Sequence, residues 1–214
     1  MTAALEVQFH ALRQRLEATQ PTAQEINAAT DFAIDANAAG RADLTLALLG
    51  PLATRIPDQA KIWQLLGLAW REEQAMEKAI EAFAKAAALA PQDPRIALGK
   101  AQIAFETGHP AAALFQQIRA ISPQDGELAL STAAALIQEG QATAGEALIE
   151  ALVAENPGWV RGHGWLATTR WMMGDREGFA RSFATAVAAF PADKALRMGW
   201  YRAVAQPEQW ELAE

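Results

Sequence analysis

The sequence of 214 residues contains no cysteine, and this absence excludes several kinds of chemistry at once. Without a thiol the chain forms no disulfide, no zinc–thiolate site and no cysteine nucleophile. A cysteine-free chain also fits a reducing compartment, so we expect a cytoplasmic protein. The histidines, His10, His109 and His163, are far apart, and none has a second histidine or a carboxylate at metal-ligand spacing. We therefore predict no metal site and no cofactor.

Positive charge and long apolar runs are scarce as well. Acidic residues outnumber the 18 lysines and arginines by 25 to 18, which gives a formal net charge of −7. Nucleic-acid binding needs a concentrated basic surface, so this balance argues against it. No apolar run approaches the roughly 20 residues of a membrane-spanning helix, and the N-terminal residues lack the pattern of a signal peptide. We expect neither a nucleic-acid partner nor a membrane.

Five of the ten prolines are evenly spaced along the chain. Pro57, Pro91, Pro123, Pro157 and Pro191 are separated by 34, 32, 34 and 34 residues, and an alanine-rich stretch precedes each of them. Because proline cannot continue a helix, this spacing marks the ends of successive helical units. A period of this length is typical of helical repeat proteins.

One repeat shows why the pattern requires particular residues. The stretch KIWQLLGLAWREEQAMEKAIEAFAKAAALAP, residues 61–91, carries small and large apolar residues at helical spacings. Small residues let two antiparallel helices approach closely, and large ones fill the space left by a neighbouring helix. The large residues are Trp63, Leu66, Trp70 and Phe83, and the small ones are Gly67, Ala79 and Ala86. This order resembles the tetratricopeptide repeat (TPR) family, with Trp70 in place of the usual tyrosine.

The resemblance implies an all-α fold, a right-handed TPR solenoid of about five helix-turn-helix repeats with a capping helix at each end. We expect residues 1–214 to form this single solenoid. Its predicted parts are an N-terminal helix at 1–20, repeats at 25–57, 60–91, 94–123, 126–157 and 160–191, and a C-terminal cap at 194–214.

Two local departures from the repeat carry their own predictions. The third repeat is two residues shorter, at ETGHP, which predicts a short tight turn between its helices. Pro51 falls inside the second helix of the first repeat, where it predicts a kink or a late helix start because it removes one backbone hydrogen bond.

Resemblance to the family also implies a concave groove, lined by positions 2, 5, 9 and 12 of each repeat, that binds a protein or a peptide. Basic residues at these positions could attract an acidic peptide, or could lie over apolar surface with their charged ends in water. Apolar residues there could accept an amphipathic helix or pack between repeats. The groove residues that we predict to bind a partner are Asn27, Lys61, Gln64, Leu68, Arg71, Arg95, Leu98, Gln102, Phe105, Arg161 and Trp171.

The fifth repeat concentrates aromatic residues that need a separate interpretation. Trp159, Trp165 and Trp171 cluster there with Met172 and Met173 beside them. A helical stripe of aromatic and methionine side chains is more typical of a core than of a cofactor site. If one ring is exposed for binding, position 12 favours Trp171. His163 replaces an apolar residue between helices, so we predict a buried, hydrogen-bonded histidine rather than a catalytic base.

We predict a protein-interaction scaffold rather than an enzyme, because no catalytic constellation accompanies the repeats. An alternative comes from residues 162–200, which resemble the TPR region that precedes the catalytic domain of bacterial 2-oxoglutarate and iron dependent oxygenases and, more weakly, of TPR-linked sulfotransferases. In that case the chain would be a substrate-presenting arm, and catalysis would lie outside these residues. A third hypothesis is self-association through the end helices, which uses an apolar stripe formed by Leu5, Phe9, Leu12 and Leu16.

Overall fold

The structure is a computed structural model that describes residues 2–18 and 20–204. Those residues form twelve α-helices and contain no strand, so the predicted all-α class is confirmed. The chain divides into two compact units, unit 1 at Met1–His109 and unit 2 at Pro110–Glu214. Residues 205–214, which belong to the predicted C-terminal cap, lie outside the described residues. The single solenoid over the whole length stays a prediction.

Unit 1 consists of one leading helix, two helix pairs and one further helix. The leading helix packs against the first pair and buries Leu5, Phe9 and Leu16 in the core of the unit. The first helix of each pair contacts the next first helix along the chain, so that α2, α4 and α6 form a row. The helices are α1 Thr2–Ala18, α2 Ala23–Ala38, α3 Ala42–Arg55, α4 Ala60–Glu72, α5 Met76–Leu89 and α6 Pro94–Glu106.

Unit 2 is built in the same way. Two helix pairs, α8 with α9 and α10 with α11, have a helix before them and a helix after them. The first helices again contact one another in order, so that α8, α10 and α12 form a row. The helices are α7 Ala112–Arg119, α8 Gly126–Gln138, α9 Ala142–Glu155, α10 Val160–Met172, α11 Arg176–Ala189 and α12 Lys194–Val204.

An aromatic ring packed against glycine fixes the helix spacing in unit 1. The ring of Phe83, on α5, is fully buried and lies against Gly67 of α4 and Gly99 of α6. A Cβ atom at residue 67 would lie 2.8 Å from this ring, and one at residue 99 would lie 2.1 Å from it. Both distances are too short for real carbon contacts, so only glycine allows the two helices this close to Phe83.

Helix α7, the second helix of the third predicted repeat, corrects the sequence interpretation. Helix α7 has 8 residues, whereas α5, α9 and α11 each have 14. Residues 107–111 separate α6 from α7, which is longer than the three-residue turn 73–75 between α4 and α5. The prediction of a short tight turn was therefore wrong, because the missing residues come from the helix.

Pro51 neither delays nor ends its helix. Helix α3 begins at Ala42 and continues through Pro51 to Arg55. Of the two predicted effects, the late start was therefore wrong, and the kink stays a prediction. Gly50, before the proline, has no Cβ to collide with the pyrrolidine ring, which lets this residue keep a helical conformation.

Replacing Gly67 by leucine should destabilise the chain, because the new side chain would collide with the ring of Phe83. We expect Gly67→Leu to lower the free energy of unfolding by about 1–3 kcal/mol, which a urea melt measures. Gly164→Leu is the matched control, since a Cβ there meets its nearest atom, Leu196 Cδ1, at an ordinary 3.5 Å. Equal loss of stability in both variants would contradict the packing described for Phe83.

Candidate functional site

In each unit separately, we call the row of first helices the A face of that unit. It consists of α2, α4 and α6 in unit 1, and of α8, α10 and α12 in unit 2. Each of the predicted groove residues lies on one of these helices. The residues of unit 1 are Asn27, Lys61, Gln64, Leu68, Arg71, Arg95, Leu98, Gln102 and Phe105, and those of unit 2 are Arg161 and Trp171.

Two of the predicted cations in unit 1 already bind carboxylates of the same unit. Lys61 Nζ lies 3.3 Å from Asp31 Oδ1, on α2. Arg71 Nε donates to Glu106 Oε2, on α6, at 2.8 Å, and Arg71 Nη1 donates to Gln102 Oε1 at 3.3 Å. The hydrogen bonds to Glu106 raise the pKa of Arg71 despite its partial burial. Both cations therefore tie neighbouring first helices together.

The other two predicted cations are more exposed. Arg161 Nη1 donates to Glu127 Oε1, on α8, at 2.5 Å, and 68% of the Arg161 side chain is exposed. Arg95 is 78% exposed and has only a long contact of 3.6 Å with Asp93, a residue near it in sequence. Because Asp93 also accepts the backbone N–H of Arg95 at the start of α6, its carboxylate is shared. Arg95 is thus the least neutralised of these four cations.

The carboxylate partners were missed when each repeat was considered alone. Asp31 and Lys61 are 30 residues apart, Glu127 and Arg161 are 34 apart, and Arg71 and Glu106 are 35 apart. Each separation is close to one repeat length, which brings opposite charges together on adjacent first helices. A search for oppositely charged residues one repeat apart would have found all three pairs.

The uncharged residues of the predicted groove remain partly accessible. Asn27 is exposed, and five others are half-buried. Three of those five side chains are apolar and two are carboxamides, so the A face of unit 1 is a mixed surface rather than a purely apolar one. The five are Gln64, Leu68, Leu98, Gln102 and Phe105.

Trp171 belongs to the packing between α10 and α11. Its ring centroid lies 4.8 Å from that of Phe179, in an edge-on arrangement, and the guanidinium of Arg176 lies 3.8 Å from the Trp171 ring. The side chain is half-buried against the core of unit 2. Its role in binding a partner stays a prediction.

His163 is buried and hydrogen-bonded, as predicted. Its Nε2 lies 2.9 Å from the carbonyl oxygen of Pro157, and since a carbonyl only accepts, this nitrogen carries the hydrogen. Trp63 makes the equivalent bond in unit 1, from Nε1 to the carbonyl of Pro57 at 2.7 Å. Each ring nitrogen follows a repeat-ending proline by six residues, so His163 replaces a structural tryptophan.

A cavity of about 540 Å³ opens on the A face of unit 2, between α10 and α12. Most of its walls are apolar, and charged groups lie at Arg161 and Asp193. Its lining residues are Val160, Arg161, Gly164, Trp165, Thr168, Asp193, Ala195 and Leu196.

Gly164 explains why the space is present. At this position of the other four repeats stand residues with side chains, whereas Gly164 contributes only a hydrogen atom to the surface of α10. The equivalent residues are Thr30, Gln64, Leu98 and Leu130. The absent side chain was visible in the sequence, but the facing wall on α12 was not, because it comes from the neighbouring helix.

Arg170 forms a further polar cluster that the sequence interpretation missed. This half-buried arginine of α10 donates to Glu146 Oε1 at 2.6 Å and to Glu150 Oε1 at 2.7 Å, both on α9, and also contacts Ser182 of α11. Burial alone lowers the pKa of Arg170, but the bonds to the two glutamates raise it overall. The cluster joins three helices and has a structural role.

The described residues provide neither a metal site nor a membrane-spanning helix. Within residues 2–18 and 20–204, no group of three or more histidine, aspartate or glutamate side chains is placed to hold a metal ion. In the same part of the chain, every helix is too short or too polar to cross a membrane.

Comparison with solved structures shows that the chain has a TPR fold. YrrB, described as a TPR protein with an unusual peptide-binding site, is 16% identical with a TM-score of 0.70, over 90% of this chain and 98% of that chain. MamA from Desulfovibrio magneticus RS-1, from residue 41 to its end, is 15% identical with a TM-score of 0.68. The match covers 78% of this chain and 95% of that chain. MamA AMB-1 is 18% identical with a TM-score of 0.63, and the match covers 75% of this chain and 96% of that chain. No family model and no curated protein matches the sequence.

The pair Arg71 and Glu106 should contribute more to stability than the exposed pair Arg161 and Glu127. Both side chains of the first pair are about two-thirds buried, which reduces screening by water. Double-mutant cycles with alanine should give a coupling free energy of about 0.5–1 kcal/mol for the first pair and a smaller one for the second. Equal couplings, measured by urea denaturation, would contradict this ranking.

Proposed function

We propose that this chain is a protein-interaction scaffold that binds a segment of another protein on its A face. The observation that carries the proposal is that apolar side chains of the first helices remain partly accessible after each unit has formed its core. Leu68, Leu98 and Phe105 are such residues in unit 1. A partner segment that covers them gains the free energy of apolar burial. The peptide-binding site described for YrrB, which has a similar fold, supports the same function here.

The carboxamide side chains suit a peptide ligand in particular. Asn27, Gln64 and Gln102 each carry both a donor and an acceptor, so they can bind the N–H and C=O groups of a peptide backbone. Such contacts do not depend on the sequence of the ligand. We therefore assign specificity to the charged and apolar residues around them.

We also propose that the chain prefers an acidic partner and that Arg95 is the residue that binds its carboxylate. Lys61, Arg71 and Arg161 each have a carboxylate within the chain, so an acidic ligand would have to compete with Asp31, Glu106 or Glu127. Arg95 is free of such competition except for its long contact with Asp93. A ligand carboxylate near α6 would meet this cation first.

Self-association is a weaker alternative for the predicted α1 stripe. Leu5, Phe9 and Leu16 are buried against α2 and α3 within unit 1. A second copy of the chain would have to displace this packing, whereas a partner on the A face displaces none. For this reason we assign the partner to the A face.

Reversing the charge of Arg95 should weaken binding without unfolding the chain. We expect Arg95→Glu to retain an acidic partner at least threefold less well than the wild type, since attraction becomes repulsion. The measurement is a quantitative pull-down in which purified variants capture proteins from the native host lysate. Lys100→Glu is the matched control, because Lys100 is also exposed on α6 but lies on the opposite side of the helix from Arg95.

Circular dichroism and thermal melts should show the same fold and stability for both variants. Equal capture of every partner by the wild type and Arg95→Glu would contradict the proposed preference for an acidic partner. A wild-type chain that enriches no protein over empty resin would contradict the scaffold function itself.

A further inference from the structure

We infer that the cavity between α10 and α12 is a pocket for one large apolar side chain of the bound segment, such as tryptophan, phenylalanine or leucine. This inference rests on the proposed function and names the ligand chemistry that the A face of unit 2 recognises.

Glycine at residue 164 is not required by helix packing. A helix-interior glycine is less stable than alanine, and at three other helix positions the chain gains close packing in return. A Cβ at Gly67, Gly99 or Gly162 would lie 2.8, 2.1 or 2.2 Å from an aromatic ring. At Gly164 the nearest atom, Leu196 Cδ1, lies 3.5 Å away, which is an ordinary contact. The missing side chain therefore serves to leave space rather than to allow close contact.

The size and walls of the space suit an apolar side chain. Its volume of about 540 Å³ falls within the range of roughly 300–1,000 Å³ for small-molecule sites, so it can hold a large side chain together with adjoining peptide backbone. Val160 and Trp165 contribute apolar surface from α10, and Leu196 contributes it from α12. A large aromatic or branched aliphatic group would exchange water for these three side chains.

Charges of opposite sign beside the apolar walls indicate that the ligand is part of a peptide. Arg161 uses one nitrogen for Glu127, and the rest of its exposed guanidinium can donate to a carbonyl. Asp193 uses Oδ1 to accept the backbone N–H of Leu196 at 2.8 Å, which leaves a second carboxylate oxygen to accept an N–H. One donor and one acceptor complement the two polar groups of a backbone amide.

The test uses N-acetyl-5-fluorotryptophan amide, a single blocked residue whose fluorine reports binding in ¹⁹F NMR spectra. We expect saturable line broadening with the wild type and with Gly164→Ala, because one methyl group leaves most of the cavity open. Gly164→Leu should place a four-carbon side chain in the cavity, obstruct the probe and weaken binding at least tenfold. Its thermal midpoint should not fall below that of the wild type, so that loss of binding cannot reflect unfolding.

Competition identifies the chemistry of the pocket. Unlabelled N-acetylleucinamide should displace the probe, and N-acetylalaninamide should not, because only the former carries a large apolar group. Equal probe binding by Gly164→Leu and the wild type, no binding by the wild type, or equal displacement by both amides would overturn the inference.

Protein capture separates this inference from the proposed function. If Gly164→Leu loses the probe but captures every partner of the wild type, the pocket is not the recognition site, while the scaffold function stands. Loss of those partners by Gly164→Leu but not by Gly164→Ala would support the pocket. A wild-type chain that captures no partner overturns both proposals.

Discussion

Close packing of an aromatic ring against glycine is the constraint on which each unit depends. In unit 1 the Phe83 ring occupies the space beside Gly67 and Gly99, where any side chain would collide with it. In unit 2 the ring of Trp159, at the start of α10, lies against Gly126 of α8 and against Gly162 of its own helix. These contacts set how near neighbouring helices lie, and the spacing of the first helices then determines which side chains share the A face.

Electrostatics on that face are largely satisfied within the chain. Lys61, Arg71 and Arg161 bind carboxylates on adjacent first helices, so they hold the repeats in register as well as carrying positive charge. A partner gains little by competing for these pairs, because exchange of one carboxylate for another leaves the charge balance unchanged. We therefore propose that recognition on the A face depends mainly on Arg95, on carboxamides and on apolar surface.

The sequence predicted the helix pairs well because proline and small-residue positions are local signals. Helix α5, for example, ends at Leu89, two residues before Pro91. The shorter length of the third repeat did not indicate which element was shorter. The two missing residues shorten α7 rather than the turn before it. The cavity beside Gly164 was not predicted, because a space between helices depends on the facing side chain, here Leu196, as much as on the missing one.

Site-specific photocrosslinking is the most direct test of binding on the A face. Benzoylphenylalanine at Gln64, on the A face, should crosslink to one defined segment of a partner, which mass spectrometry of the digested product identifies. The same group at Glu81, exposed on α5, should not crosslink to that segment. Crosslinking of the same segment from both positions, or from Glu81 alone, would contradict the central claim that the first helices hold the partner.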